Sequence, residues 1–233
     1  MSARQILVFA FAATAGVAAL LAGCATAPRA PAAATAAMPE CPLLVIAASG
    51  APYRDPDRGA IATAYPPGTK AAALARLDDI LAQYPDAVPA LAERGYQKAM
   101  QGQAIAAERD FTHALRIAPD AEHTHWSYGW ALLRLDRPAC AVAQWQQAAV
   151  LHGGRPFWLP YTLAVGYAAA GRMDLAVAWY AQAVASFPSR WGDADALAQS
   201  TRFWHASEQR LVREVFAAWQ TAGRPAPAAA GER

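Results

Sequence analysis

The chain has 233 residues, 55% of them hydrophobic and only 16% charged, with a formal net charge of +2. That is enough apolar material for a sizeable core, and the balance and scatter of charge exclude the basic face that a nucleic-acid binder needs. Alanine is in heavy excess and β-branched residues are not set in alternating runs, so composition points to an all-α protein.

The first element is not part of a fold. Arg4 precedes the apolar run ILVFAFAATAGVAALL, Ile6 to Leu21, which is short for a membrane span of about 20 residues and is followed by the small residues Ala22 and Gly23. This is the pattern of a secretion signal. The run meets LAGC, Leu21-Ala22-Gly23-Cys24, which resembles the lipobox of bacterial lipoproteins in all four positions. The resemblance implies cleavage after residue 23, lipidation of Cys24, and a mature N-terminus held in a bilayer by acyl chains. Ala25, in place of an aspartate, implies the outer membrane of a two-membrane bacterium, with the protein on its periplasmic face.

Residues 24–40 are rich in Ala and Pro and carry too little large apolar surface to pack, so they read as a tether with a reach of roughly 50 Å at about 3.1 Å per residue. An irregular segment, residues 41–68, follows. It opens with CPLLVIAASG, Cys41 to Gly50. Cys41 and Cys140 belong to a compartment in which disulfides persist, and two readings stay open: they pair, or Cys140 is a buried thiol and Cys41 incidental. Neither has a second ligand at zinc-like spacing, so no metal site is expected.

From residue 69 the pattern is helical. AAALARLDDILAQYP carries Ala73, Leu77 and Ile80 before Pro85, and predicts a lone helix over Thr69 to Tyr84. Then a motif recurs: Gly95, Ala107, Phe111, Ala114 and Pro119; after 34 residues Gly129, Ala141, Trp145, Ala148 and Gly153; after a further 35 Ala164, Ala176, Tyr180, Ala183 and Pro188. Facing small residues let two antiparallel helices approach, and the aromatic fills the space towards the next pair. Gly102 and Gly171 fall where the pair must turn, with Asp136 in the middle copy. Pro119 and Pro188 end the second helices.

This pattern resembles the tetratricopeptide repeat, with copies at about 86–119, 120–154 and 155–188 within an array over residues 69–188. The resemblance implies a helical-hairpin solenoid of about three repeats. Beyond it the spacing fails, and two helices, Asp195 to Ala206 and Ser207 to Thr221, are expected to form a capping pair within residues 189–221. Residues 222–233 read as a disordered tail.

In that family the first helices line a concave groove that holds peptides. The corresponding stripe here is Tyr96, Met100, Trp126, Trp130, Arg134, Trp158 and Tyr161, rich in the residues that anchor partners. Equally, Trp126 and Trp130, one turn apart, could be core against the N-terminal segment or the cap, and Cys41 to Gly50 could fill the groove as the chain's own ligand. The family's Lys and Asn clamp for a terminal carboxylate is not matched, because Tyr96, Trp130 and Val165 hold the equivalent positions. His123 and His125 point to different helix faces, and His205 with Glu208 reads as a solvated i, i+3 pair. No catalytic residue and no cofactor is expected. These observations lead to an expected lipid-anchored adaptor that docks an envelope protein or peptide. The alternative is a pilotin-like factor for outer-membrane assembly or for secretin or pilus biogenesis, and a cell-wall-associated enzyme is the rival from another class.

Overall fold

The computed structural model describes residues 40–56 and 70–224. The leader, Cys24, nearly all of the tether, residues 57–69 and the tail from residue 225 lie outside the described residues.

Among the described residues the protein is all-helical. A lone helix, α1 (Lys70–Gln83), is followed by three hairpins: α2 (Val88–Met100) with α3 (Ala104–Ile117), α4 (Glu122–Arg134) with α5 (Pro138–His152), and α6 (Leu159–Ala169) with α7 (Met173–Ser186). Then come α8 (Pro188–Trp191), α9 (Ala194–Thr201) and α10 (Ala206–Thr221). The three hairpin turns share one conformation. Gly102, Asp136 and Gly171 have φ of 72°, 59° and 73°, so the aspartate takes the left-handed backbone that its counterparts adopt freely. The second helices α3 and α7 stop before Pro119 and Pro188, and Pro188 opens α8.

The hairpins stack through the recurrent aromatics. A methyl group on Gly95 would stand 2.9 Å from the Phe111 ring of its own hairpin, while that ring stacks on Tyr128 of the next at 4.5 Å. Trp145 does the same one repeat on. It lies against Gly129 of its own hairpin and Gly166 of the next, and its indole N–H donates to the Trp126 carbonyl at 3.1 Å. In the third copy the neighbour is the cap: Tyr180 tilts against Trp219 at 5.7 Å and donates its hydroxyl to the Trp191 carbonyl at 2.7 Å. The cap is therefore three helices rather than two, with α10 against α6 and α7. At the other end, Leu77, Ile80 and Leu81 of α1 pack on Ala90 and Leu91 of α2. One buried carboxylate ties α2 to α3: Asp110 accepts from Arg94 and Lys98, each at 2.8 Å. Burial pushes its pKa up, but the bonds from the two cations outweigh that and hold it below the usual carboxylate value.

The segment from residue 40 to 56 is an extended strap. Cys41 is disulfide-bonded to Cys140 in the first turn of α5, with the two Cα atoms 5.0 Å apart. Onward, the Tyr167 hydroxyl receives the Ile46 N–H and donates to the Leu44 carbonyl, each at 2.8 Å, and the Trp179 indole donates to the Ile46 carbonyl at 2.8 Å. Ser186 then receives the Tyr53 N–H at 2.8 Å. A parallel bridge between Asp55 and Pro156 ends the strap, and the Arg155 guanidinium holds the Ser49 and Ala51 carbonyls while lying 3.8 Å over the Tyr53 ring. The two cysteines thus pair, which the sequence left open. The strap's partners are on α5, the loop at 155–157, the end of α6 and α7, and not on the first-helix stripe where Cys41 to Gly50 was considered as a ligand.

Gly129→Ala places a methyl group 2.3 Å from a fixed indole and is expected to lower unfolding free energy by about 2 kcal/mol, the overpacking outweighing roughly 1 kcal/mol of helix propensity. A Gly129→Ala urea midpoint equal to that of the parent would show that the helices need no such approach. The disulfide spans 99 residues of sequence. Breaking it with Cys41→Ser is expected to cost about 3 kcal/mol, and added reductant should destabilise the parent but not the variant.

Candidate functional site

The predicted stripe separates into three regions. Tyr96 and Met100 on α2 are half-buried, as is Trp126 on α4. Trp130 is buried with 8% of its surface exposed, and Trp158 is buried at 1%. Trp158 precedes the first turn of α6 and belongs to the core, so its assignment to a groove is corrected: the α6 register turns it inward and leaves Tyr161 at the surface.

What covers Trp130 is the C-terminal segment. Trp204 meets it edge-on at 5.3 Å, with Trp145 on another side at 5.2 Å. Below it, Arg134 reaches the start of α10. Its guanidinium pairs with Glu208 at 3.1 Å, donates to Ser207 at 3.1 Å, and also meets His205. His205 and Glu208 were expected as a solvated pair. Instead they build a capping box, in which the Glu208 carboxylate accepts the His205 backbone N–H at 3.1 Å and the His205 ring accepts the Ser207 N–H. Glu208 is buried, and the half-buried Arg134 together with the His205 backbone N–H makes that tolerable. The same carboxylate is felt by Tyr96, whose hydroxyl is pushed up to about 12, by burial first and by the Glu208 charge second. The groove is thus roofed by the chain's own C-terminal segment from α4 to α6.

Trp126 meets Trp130 edge-on at 6.3 Å, the His123 ring stacks on it at 5.3 Å, and its indole N–H has no hydrogen-bond partner among the described residues. His125 turns away, bonding Gln144 and the Pro119 carbonyl, so the two histidines of the pair serve different neighbours.

An opening remains where the roof meets the third hairpin. A cleft of 410 Å³ lies between the start of α6, α8 and the 202–204 turn. Tyr161 and Trp191 stack in it at 5.0 Å and Trp204 lies 5.6 Å from Tyr161. Phe203 stands at its edge with 86% of its surface exposed, the most exposed large apolar side chain described. Arg190 and Arg202 complete the rim. Of the predicted stripe only Tyr161 lines this cleft. Apart from Phe157, the other lining residues lie outside the repeat register, in SRW, Ser189 to Trp191, on α9, and in RFW, Arg202 to Trp204. That concentration of aromatics and cations between capping helices was the available signal. The chain matches no protein-family model and no curated protein sequence.

Arg134→Ala leaves Glu208 buried without its cation, and is expected to cost about 3 kcal/mol and to speed amide hydrogen exchange across residues 199–212. Unchanged exchange there would mean that packing of Trp204 alone holds the roof.

Proposed function

We propose that this protein is a lipid-anchored, tetratricopeptide-like adaptor of the bacterial cell envelope, which docks a peptide segment of an envelope protein at the aromatic cleft beside its cap. The observation that carries this reading is the cleft itself, floored by Tyr161, Trp191 and Trp204 and edged by the exposed Phe203. Large aromatics beside polar groups in a partly enclosed cleft are what anchors a protein partner most often. The stacked hairpins with glycine facing aromatic at a 34-residue period support the repeat assignment. The envelope reading rests on LAGC at Leu21 to Cys24, and the Cys41–Cys140 bond supports it, since disulfides persist outside the cytoplasm. The proposal includes no catalytic group: His205 and Glu208, the nearest to a catalytic pair, are engaged in starting α10 and holding Arg134.

A photoreactive residue replacing Phe203 in cells is expected to give a discrete adduct with one envelope protein, lost on Tyr161→Ala, while the same residue at the exposed Val150 gives none. With Cys24→Ser the protein should leave the membrane fraction and the adduct should weaken. Identical adducts from positions 203 and 150, or none from either, would rule out a docking cleft.

A further inference from the structure

The cleft carries a charge pattern that narrows its partner. Its rim presents two guanidiniums, Arg190 and Arg202, and no carboxylate is among its lining residues. Neither arginine is in an ion pair among the described residues. Both instead rest against rings: Arg202 lies 4.4 Å over Phe203 and Arg190 5.7 Å over Phe187. A guanidinium laid on an aromatic face keeps its edge open to an acceptor: Arg202 gives one N–H to the Gln199 carbonyl at 3.4 Å, and its remaining donors, like those of Arg190, suit a carboxylate. The nearest acid along the chain is already used, for Asp193 caps α9 by accepting the Ala196 N–H at 2.8 Å. Asp195, in the first turn of α9, is exposed and is not among the lining residues.

The same cleft is lined by the rings of Tyr161, Trp191 and Trp204. A volume of 410 Å³ holds one large side chain and the backbone on either side of it, not a folded surface. Resting on the adaptor reading above, we propose that the partner segment is an acidic peptide in which a large apolar or aromatic residue, seated on those rings, is flanked by aspartate or glutamate that reaches Arg190 and Arg202. This recognition is built by the cap and not by the first helices of the repeats. Aromatic platforms also take sugars, but two unpaired cations favour an anion over a neutral glycan.

The test uses the full lipidated chain in detergent. Its probes are a fluorescein-labelled heptapeptide with tryptophan between two glutamates, the same peptide with glutamines, and an N-acetylglucosamine trimer. The glutamate peptide is expected to bind about tenfold more tightly than the glutamine one, with an advantage that shrinks as salt is raised. The exposed pair Arg190→Gln with Arg202→Gln should erase that advantage without moving the thermal midpoint. Equal binding of the two peptides, binding of the trimer alone, or binding of no probe would overturn the proposal. Those results leave the adaptor reading standing if position 203 still crosslinks one envelope protein, whereas loss of that crosslink overturns the adaptor reading itself.

Discussion

The contact on which the array depends is that of the Trp145 indole with two glycines, Gly129 in its own hairpin and Gly166 in the next. A side chain of this size can reach from α5 between α4 and α6 only where both present no Cβ. Its hydrogen bond to the Trp126 carbonyl then fixes the ring's angle and, through it, the spacing of α4, α5 and α6. Phe111 with Gly95 is a smaller version one repeat earlier, and Tyr180 a version one repeat later whose outer neighbour is the cap. Each hairpin alone would leave its aromatic half uncovered, so the units are stable only as a stack closed at both ends. Closure at one end is modest, through the Leu and Ile residues of α1. At the other it takes three helices and several aromatic rings.

That asymmetry explains what the sequence made legible and what it did not. The hairpins were readable because periodicity reports local contacts: Gly95, Phe111 and their counterparts recur at fixed spacing for a reason that repeats. Asp136 was readable as a turn because its neighbours in the other copies are glycines. That Trp130 is core against the cap was readable as one of two alternatives, but the residues that cover it were not, since Trp204 and Arg134 are far apart in sequence and nothing in either stretch names the other. Trp158 was misplaced by a related failure. The third repeat begins after an irregular stretch, 153–158, and extrapolating the groove stripe across it shifts the register by enough to turn an inward residue outward.

The strap and the roof treat opposite demands. The strap offers its backbone N–H and carbonyl groups to side chains already set in α6 and α7, so Tyr167, Trp179 and Ser186 satisfy a chain whose backbone bridge, among the described residues, is confined to Asp55. The roof does the reverse, inserting side chains into a stripe whose backbone is already satisfied. A surface filled in that way can keep its aromatic character at the margin, and the cleft at Tyr161 and Trp191 is that margin. Its position between repeat and cap means that its shape is set by the junction and not by the solenoid.

The covalent link between Cys41 and Cys140 also decides how mechanical tension crosses the molecule. Pull on the residues preceding Cys41 does not travel along the chain through α1 and on to α4. It enters α5 directly at Cys140, near the middle of the stack, so the first hairpin and a half hang outside the path of force. The bond and the strap beyond it share the strain with α7 and the Asp55 bridge, elements close to the cap. A protein tethered at that end would therefore be held by its centre, free to let α1–α3 loosen while the region around the cleft stays under support.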